Sequence, residues 1–225
     1  MSSASSVRDV CTPVEMSGYD ARSGMYKGIR DDLFASALVF SDGREKAAVV
    51  ALDVIAMSHD YTNRTLARIE KETGINAGHV LLCPTHTHGG PVTLAYGEKA
   101  TPDLEKYVAF LQDQIVEAVR QAMQKMVPAR IGAGNGTCHM NINRRARYAD
   151  GSIWLGRNPD GPCDHDVSVV RVDNTLGKTI AMFVNCSEIT GPEPSVRSQH
   201  FGSHCRLAVI PFHHIFSPCP YLPFA

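Results

Sequence analysis

The residues most suited to chemistry are Thr85-His86-Thr87-His88, followed by Gly89-Gly90-Pro91. They come directly after an apolar run, residues 79–84, which predicts a buried strand. In α/β folds, ligands bind at the carboxyl ends of strands. If the segment is extended, His86 and His88 point to the same face, because side chains repeat every two residues. Two such imidazoles can share a zinc ion, or divide the roles of ligand and hydrogen-bond donor. A pair of polar loop histidines that bind nothing is the other interpretation.

Two further charged residues, Arg144 and Asp53, could act together with the two histidines. Arg144 lies in a polar stretch, residues 141–145, where a guanidinium could fix a carboxylate or polarise a carbonyl. The alternative is a solvated basic turn. Asp53 ends a hydrophobic run, where a carboxylate is costly to bury unless it is paired. It could orient a histidine or cap the segment that follows, and the sequence leaves both open.

The elements that would position these residues alternate between strands and helices. Two apolar runs flank the turn Ser41-Asp42-Gly43 and predict a strand pair. Helices are predicted from Ser58 to Gly74, and from Thr101, as N-cap, towards Pro128. A short strand (129–134), a long polar loop (137–166) and a hairpin (strands 167–172 and 179–184) complete the order. This order indicates an α/β fold, with a mixed sheet and flanking helices.

The last 40 residues differ from the body. Prolines stand at 192, 194, 211, 218, 220 and 223, and no strand or helix periodicity is visible. We therefore divide the chain into a domain of residues 1–185 and an irregular tail of residues 186–225. A frame-shifted or alternative terminus is our hypothesis for the tail. Histidines at 200, 204, 213 and 214 lie there, but Gly202 and Ser203 disfavour the helix that would aim the first two at one metal.

Composition sets limits on partners and location. The 225 residues are 44% hydrophobic and carry a net charge of -1, so no basic footprint predicts a nucleic-acid partner. No apolar run approaches the roughly 20 residues of a transmembrane helix, and the amino terminus lacks the apolar stretch of a secretory signal. Seven cysteines without a Cys-x-x-Cys pair favour free thiols. These features predict a cytoplasmic protein, and they leave its oligomeric state open.

The order of several motifs resembles one known family. These are Met16-Ser-Gly-Tyr19, Gly28-Ile29, Asp32-Leu-Phe-Ala35, the strand ending at Asp53, the Thr-His-Thr-His-Gly-Gly-Pro element, Asn143-Arg144 and the run from Val167 to Asp173. Together they are similar to the neutral/alkaline non-lysosomal ceramidases over about residues 7–185. Gly89 stands where that family usually has a serine.

The resemblance implies a partial ceramidase-like catalytic domain. It implies a zinc-dependent hydrolase acting on the N-acyl amide bond of ceramide or a related N-acyl compound, with His86 as a zinc ligand. His88 and Arg144 would be the catalytic polar groups around the amide. The family places a second zinc histidine just after the strand ending at Asn185, and a glutamate, a tyrosine and a serine further on.

This chain instead continues from Asn185 as Cys-Ser-Glu-Ile-Thr-Gly. Two alternatives therefore stand beside the hydrolase. One is a non-catalytic binding or regulatory module. The other is a non-functional fragment, in which the strands at 167–184 lack sheet partners. A small soluble N-acyl compound fits as well as a bilayer lipid, since the sequence shows no amphipathic surface helix.

Overall fold

The computed structural model describes residues 3–7, 14–19, 28–29, 32–94 and 101–186. For residues 3–7 it describes only the backbone. The predicted tail and its histidines therefore lie outside the described residues, apart from Cys186. Within these ranges, the chain forms nine strands, two α-helices and a single 3-10 turn.

The bounds of the elements are as follows. The strands are β1 (Ser3–Val7), β2 (Leu33–Ser41), β3 (Lys46–Leu52), β4 (Val80–Pro84), β5 (Ala129–Thr137), β6 (Asn143–Arg147), β7 (Ile153–Asn158), β8 (Asp166–Asn174) and β9 (Thr179–Cys186); the helices are α1 (His59–Thr73) and α2 (Pro102–Gln124).

Strands β1 to β4 form one sheet in chain order, and β5, β8 and β9 form a second sheet in the order β5-β8-β9. The pairs β1–β2 and β2–β3 are antiparallel, whereas β3–β4 is parallel and is connected through α1. The first sheet is therefore mixed. The prediction of an α/β fold with a mixed sheet and helices is confirmed, although the strands divide among three sheets.

The central strands of the first sheet, β2 and β3, are buried on both faces, which explains why they are almost continuously apolar. Alternate residues, such as Ala37 on β2 and Val50 on β3, join the core formed with α1 and α2. The residues between them, Leu38 and Ala51, join a second core with Val172, Ala181 and Phe183 of the other sheet. The body thus has three layers: helices, the mixed sheet and the antiparallel sheet.

Both helices begin at signals in the sequence, and α1 also ends at one. Ser58 accepts a hydrogen bond from Tyr61 N at the start of α1. Gly74 ends that helix in the left-handed region at φ 73°, donating its N–H to Glu70 O at 2.9 Å. At the start of α2, Thr101 Oγ1 accepts from Leu104 N at 3.2 Å, and Pro102 occupies the first turn. These local predictions are confirmed because caps satisfy backbone groups that have no partner inside the helix.

Replacing the N-cap of α2 gives a testable change in stability. We expect Thr101→Ala to lower the free energy of unfolding by about 0.5–2 kcal/mol, because Leu104 N loses its acceptor. The matched control is Thr175→Ala in the exposed turn between β8 and β9, which we expect to change it by less than about 0.5 kcal/mol. Urea unfolding followed by circular dichroism measures both. Equal losses would contradict the capping role.

Two predictions from the sequence are wrong. Residues 137–166 are not one loop, because they contain β6 and β7, which pair as an antiparallel hairpin. The strand expected at 129–134 continues to Thr137, paired with β8 along its whole length. That pairing, together with β8–β9, also gives β8 a partner on each side. The fragment alternative expected the strands at 167–184 to lack sheet partners, and these pairings show that they have them.

In the described part of the chain, no helix is long and apolar enough to cross a membrane.

Candidate active site

The two motif histidines lie where the parallel strands β3 and β4 end together. Leu52, the last residue of β3, is level with Pro84, the last residue of β4. Thr85 N donates a hydrogen bond to Leu52 O at 2.8 Å, so the motif begins directly at the sheet edge. This is the position that the sequence predicted, at the carboxyl end of a buried strand.

His86 adopts a conformation that the sequence did not predict. Its φ is 59°, in the left-handed region, and it is the only non-glycine residue with a positive φ among the described residues. The prediction of an extended His-x-His segment is therefore wrong. Such a conformation costs about 1–3 kcal/mol and persists only where surrounding contacts hold it.

One of those contacts fixes the state of the His86 ring. Its Nδ1 lies 2.8 Å from Ile55 O. A carbonyl oxygen can only accept, so Nδ1 carries the proton, and in the neutral ring Nε2 keeps its lone pair. Histidines that bind metals almost always donate the second ring N–H in this way, which sets the tautomer and the ring direction. The residues present thus suit a metal at Nε2.

His88 lies beside His86, with ring centroids 5.2 Å apart and an interplanar angle of 59°. The edge-to-face ring of Tyr19 lies 5.0 Å away on centroids. Gly18 packs so closely on the His88 ring that an added Cβ would lie 2.8 Å from His88 Cδ2 and closer still to its Cγ. Only glycine fits there, so the backbone at residue 18 forms a wall against His88.

A short segment, residues 14–19, holds this wall in place. Ser17 N donates to Gly90 O at 3.0 Å, and Val92 N donates to Glu15 O at 2.8 Å. The Ser17 hydroxyl also donates to Gly90 O at 3.1 Å, and Ser17 is buried. We call residues 14–19 the N-terminal clamp. It fastens the end of the histidine motif to a segment some 70 residues earlier in the chain.

Asp53 and Thr93 hold the two segments that follow β3 and β4, residues 53–57 and 85–93. Asp53 Oδ2 accepts from Phe34 N at 3.0 Å, and its Oδ1 accepts from the Thr85 hydroxyl at 3.4 Å. The carboxylate therefore joins β2 to the motif. The buried hydroxyl of Thr93 donates to Ala56 O. Both loops at the sheet edge are thus held by hydrogen bonds to β2 or to each other.

Arg144 lies on β6. There it faces two residues of β7, Gly156 and Arg157, because the register shifts between Asn143 and Arg145. Among the described residues, no hydrogen bond or ion pair joins Arg144 to His86 or His88. The structure thus brings the two histidines together and leaves the arginine on a separate hairpin.

Within the described ranges, no group of three or more His, Cys, Asp or Glu side chains is arranged to hold a metal ion.

Sequence reasoning missed the roles of Gly18, Tyr19 and Thr93. Gly18 and Tyr19 belong to the Met16-Ser-Gly-Tyr19 motif, which by itself does not indicate their structural role. A glycine next to an aromatic residue is a weak signal by itself, and only the folded chain places it on His88.

Comparison with known proteins agrees with this architecture. The description "Ceramidase complexed with C2" belongs to one solved structure that is similar to this chain at TM-score 0.62 and 22% identity, with 81% of this chain and 30% of the other covered. The neutral ceramidase from Pseudomonas aeruginosa matches at TM-score 0.62 and 21% identity over the same shares. Comparison with curated proteins gave no match. The chain thus has the fold of part of these enzymes, and it spans about a third of their length.

The family is shown by sequence. The model for "Neutral/alkaline non-lysosomal ceramidase, N-terminal" matches residues 6–183. The protein belongs to this family.

Proposed function

We propose that the protein is a zinc-dependent hydrolase acting on the N-acyl amide bond of ceramide or a related N-acyl compound. Family membership supports the reaction class. The single observation that supports metal binding is the hydrogen bond from His86 Nδ1 to Ile55 O, which leaves Nε2 as the basic nitrogen.

In this proposal, His86 Nε2 would hold the zinc. A catalytic zinc usually has three protein ligands and one open position, so the remaining ligands come from outside the described residues. When bound, the metal would polarise the amide carbonyl and lower the pKa of a coordinated water.

His88 has the complementary role of a polar group beside the scissile amide. Gly18 and Tyr19 hold its ring, so a donor there is already oriented before substrate binds. Fixed donors stabilise the charge that develops on a carbonyl oxygen without reorganising during the reaction. Arg144 is the second proposed donor. Its position at a β-bulge fits this role, since bulges often redirect side chains next to active sites.

The test combines metal binding with amide cleavage in the full chain. Zinc affinity is measured by calorimetry, and release of the fatty acid is measured with a short-chain fluorescent N-acyl sphingosine. We expect His86→Ala to weaken zinc binding by more than about a hundredfold, since a lost ligand costs at least as much as a lost outer-shell partner. We expect His88→Ala to bind zinc normally and to lower kcat by roughly 10²–10³.

His79→Ala is the matched control, because His79 is a half-exposed histidine on the surface, 3.7 Å from Glu45. It should leave both measurements unchanged. Equal zinc affinity in the His86→Ala variant would contradict the metal assignment. Zinc and substrate binding without any amide cleavage would instead support the non-catalytic binding module.

A further inference from the structure

Thr93 contacts the segment that holds the His86 ring. Its side chain is fully buried, and its hydroxyl donates a hydrogen bond to Ala56 O. The carbonyl of the preceding residue, Ile55, accepts the hydrogen bond from His86 Nδ1 at 2.8 Å. Thr93 and His86 therefore bind two consecutive carbonyl groups. Because a buried hydroxyl is costly without a partner, the fold has to keep the bond from Thr93.

The segment that carries these carbonyl groups is fixed on both sides of Ile55. Before it, Val54 is buried in the core, and its N–H donates to Leu52 O at 2.8 Å. After it, the hydroxyl of Thr93 holds Ala56. The direction of the Ile55 carbonyl is thus set by a core contact on one side and by Thr93 on the other.

Thr93 is itself well placed to act as a fixed point. The N–H of its neighbour Val92 donates to Glu15 O, in the N-terminal clamp, at 2.8 Å. Threonine is branched at Cβ, which restricts rotation about χ1, so its hydroxyl has few directions in which to point. The position of Ala56 is therefore tied to the clamp through a stiff side chain.

The state of the His86 ring depends on the acceptor that Ile55 provides. A neutral imidazole carries its proton on one nitrogen, and the hydrogen bond made there decides which nitrogen keeps the lone pair. If Ile55 O moves away from Nδ1, the proton can pass to Nε2, which then cannot bind a metal. The left-handed backbone of His86, at φ 59°, also persists only while its surroundings hold it.

We propose that Thr93 is a positioning residue for the metal ligand. Through Ala56, it keeps the Ile55 carbonyl against His86 Nδ1, and it thereby sets both the tautomer of His86 and its affinity for zinc. The zinc part rests on the proposed function. The tautomer part concerns the metal-free protein alone, so the two can fail separately.

Thr93→Val is the direct test, because valine keeps the branched shape of threonine and removes the hydroxyl. Long-range proton–nitrogen NMR spectra of the metal-free, full-length protein show which His86 nitrogen carries the proton. We expect Nδ1 in the wild-type protein and a shift towards Nε2 in Thr93→Val. Zinc affinity, measured by competition with a chelator, should fall roughly tenfold, the lower end of the loss seen when an outer-shell partner is removed.

Three further variants separate positioning from general destabilisation. Thr93→Ser keeps the hydroxyl and should restore the Nδ1 tautomer and the zinc affinity. Thr93→Ala removes the hydroxyl a second time, in case valine does not pack. The matched control is Thr65→Val, because Thr65 is also fully buried and its hydroxyl donates to Tyr61 O at 2.7 Å within α1. It should lower stability without changing the His86 spectrum or zinc binding.

Three outcomes overturn the proposal. A wild-type tautomer and zinc affinity in Thr93→Val and Thr93→Ala would mean that Ile55 O keeps its place without Thr93. Equal losses in Thr65→Val would assign the effect to destabilisation. Failure of Thr93→Ser to restore the Nδ1 tautomer would mean that the hydroxyl is not responsible. If the wild-type protein binds no zinc, the proposed function fails, and the tautomer comparison still decides the role of Thr93.

Discussion

Gly18→Ala is expected to destabilise the fold by about 2–6 kcal/mol and to displace the ring of His88. Two costs combine. At φ 104°, a residue with a side chain is strained by about 1–3 kcal/mol. The new Cβ would also overlap the His88 ring, and overpacking of this kind costs about 1–3 kcal/mol more. The N-terminal clamp then has to separate from the motif, or the ring has to turn.

Gly43→Ala separates these two costs. Gly43 has a similar φ, 92°, but an added Cβ there meets nothing within 4 Å. It should therefore show the strain alone, about 1–3 kcal/mol. Urea unfolding gives both values, and the ring resonances of His88 in NMR spectra report its displacement in Gly18→Ala only. If the two alanine variants lose equal stability and the His88 resonances stay in place, Gly18 does not pack tightly against the His88 ring.

Leu52→Ala is expected to lower the free energy of unfolding by about 2–5 kcal/mol. Leu52 is fully buried at the end of β3 and belongs to the core between the mixed sheet and the helices. Its truncation leaves a cavity, because the sheet and α2 cannot close over it without losing other contacts. The effect should reach the site, since the Leu52 carbonyl accepts the hydrogen bond that starts the histidine motif.

Leu81→Ala on the neighbouring strand is the matched control. Leu81 is 55% exposed, so the same truncation should cost less than about 0.5 kcal/mol. Chemical denaturation, with a constant m-value as evidence of two-state unfolding, measures the pair. A loss below about 1 kcal/mol for Leu52→Ala would mean that this end of the core repacks easily.

Elements whose signals are local could be predicted from the sequence. Ser58, Gly74 and Thr101 act within one helical turn of the backbone groups they satisfy, so their types were sufficient to place both helices. The site's location was predictable for the same reason, since a short apolar strand runs directly into His86.

Elements that depend on distant partners were predicted less accurately than those with local signals. β5 contains glycines at 132, 134 and 136 and is exposed throughout, and only its pairing with β8 extends it to Thr137. The β6–β7 hairpin did carry a local signal, Asp150-Gly151, which favours a tight turn. It was missed because its strands expose apolar residues and have no buried face to impose alternation. The left-handed conformation of His86 depends on Ile55, 31 residues away.

The anchoring of the histidine motif has a consequence for sequence change. Leu52, Ile55 and Ala56 hold the motif through their carbonyl oxygens, which every amino acid possesses. Substitution of the side chains at 55 and 56 therefore leaves the acceptors in place, provided that the backbone keeps its path. Residues 55 and 56 can therefore change in identity, whereas Gly18, where an added Cβ would overlap the His88 ring, cannot.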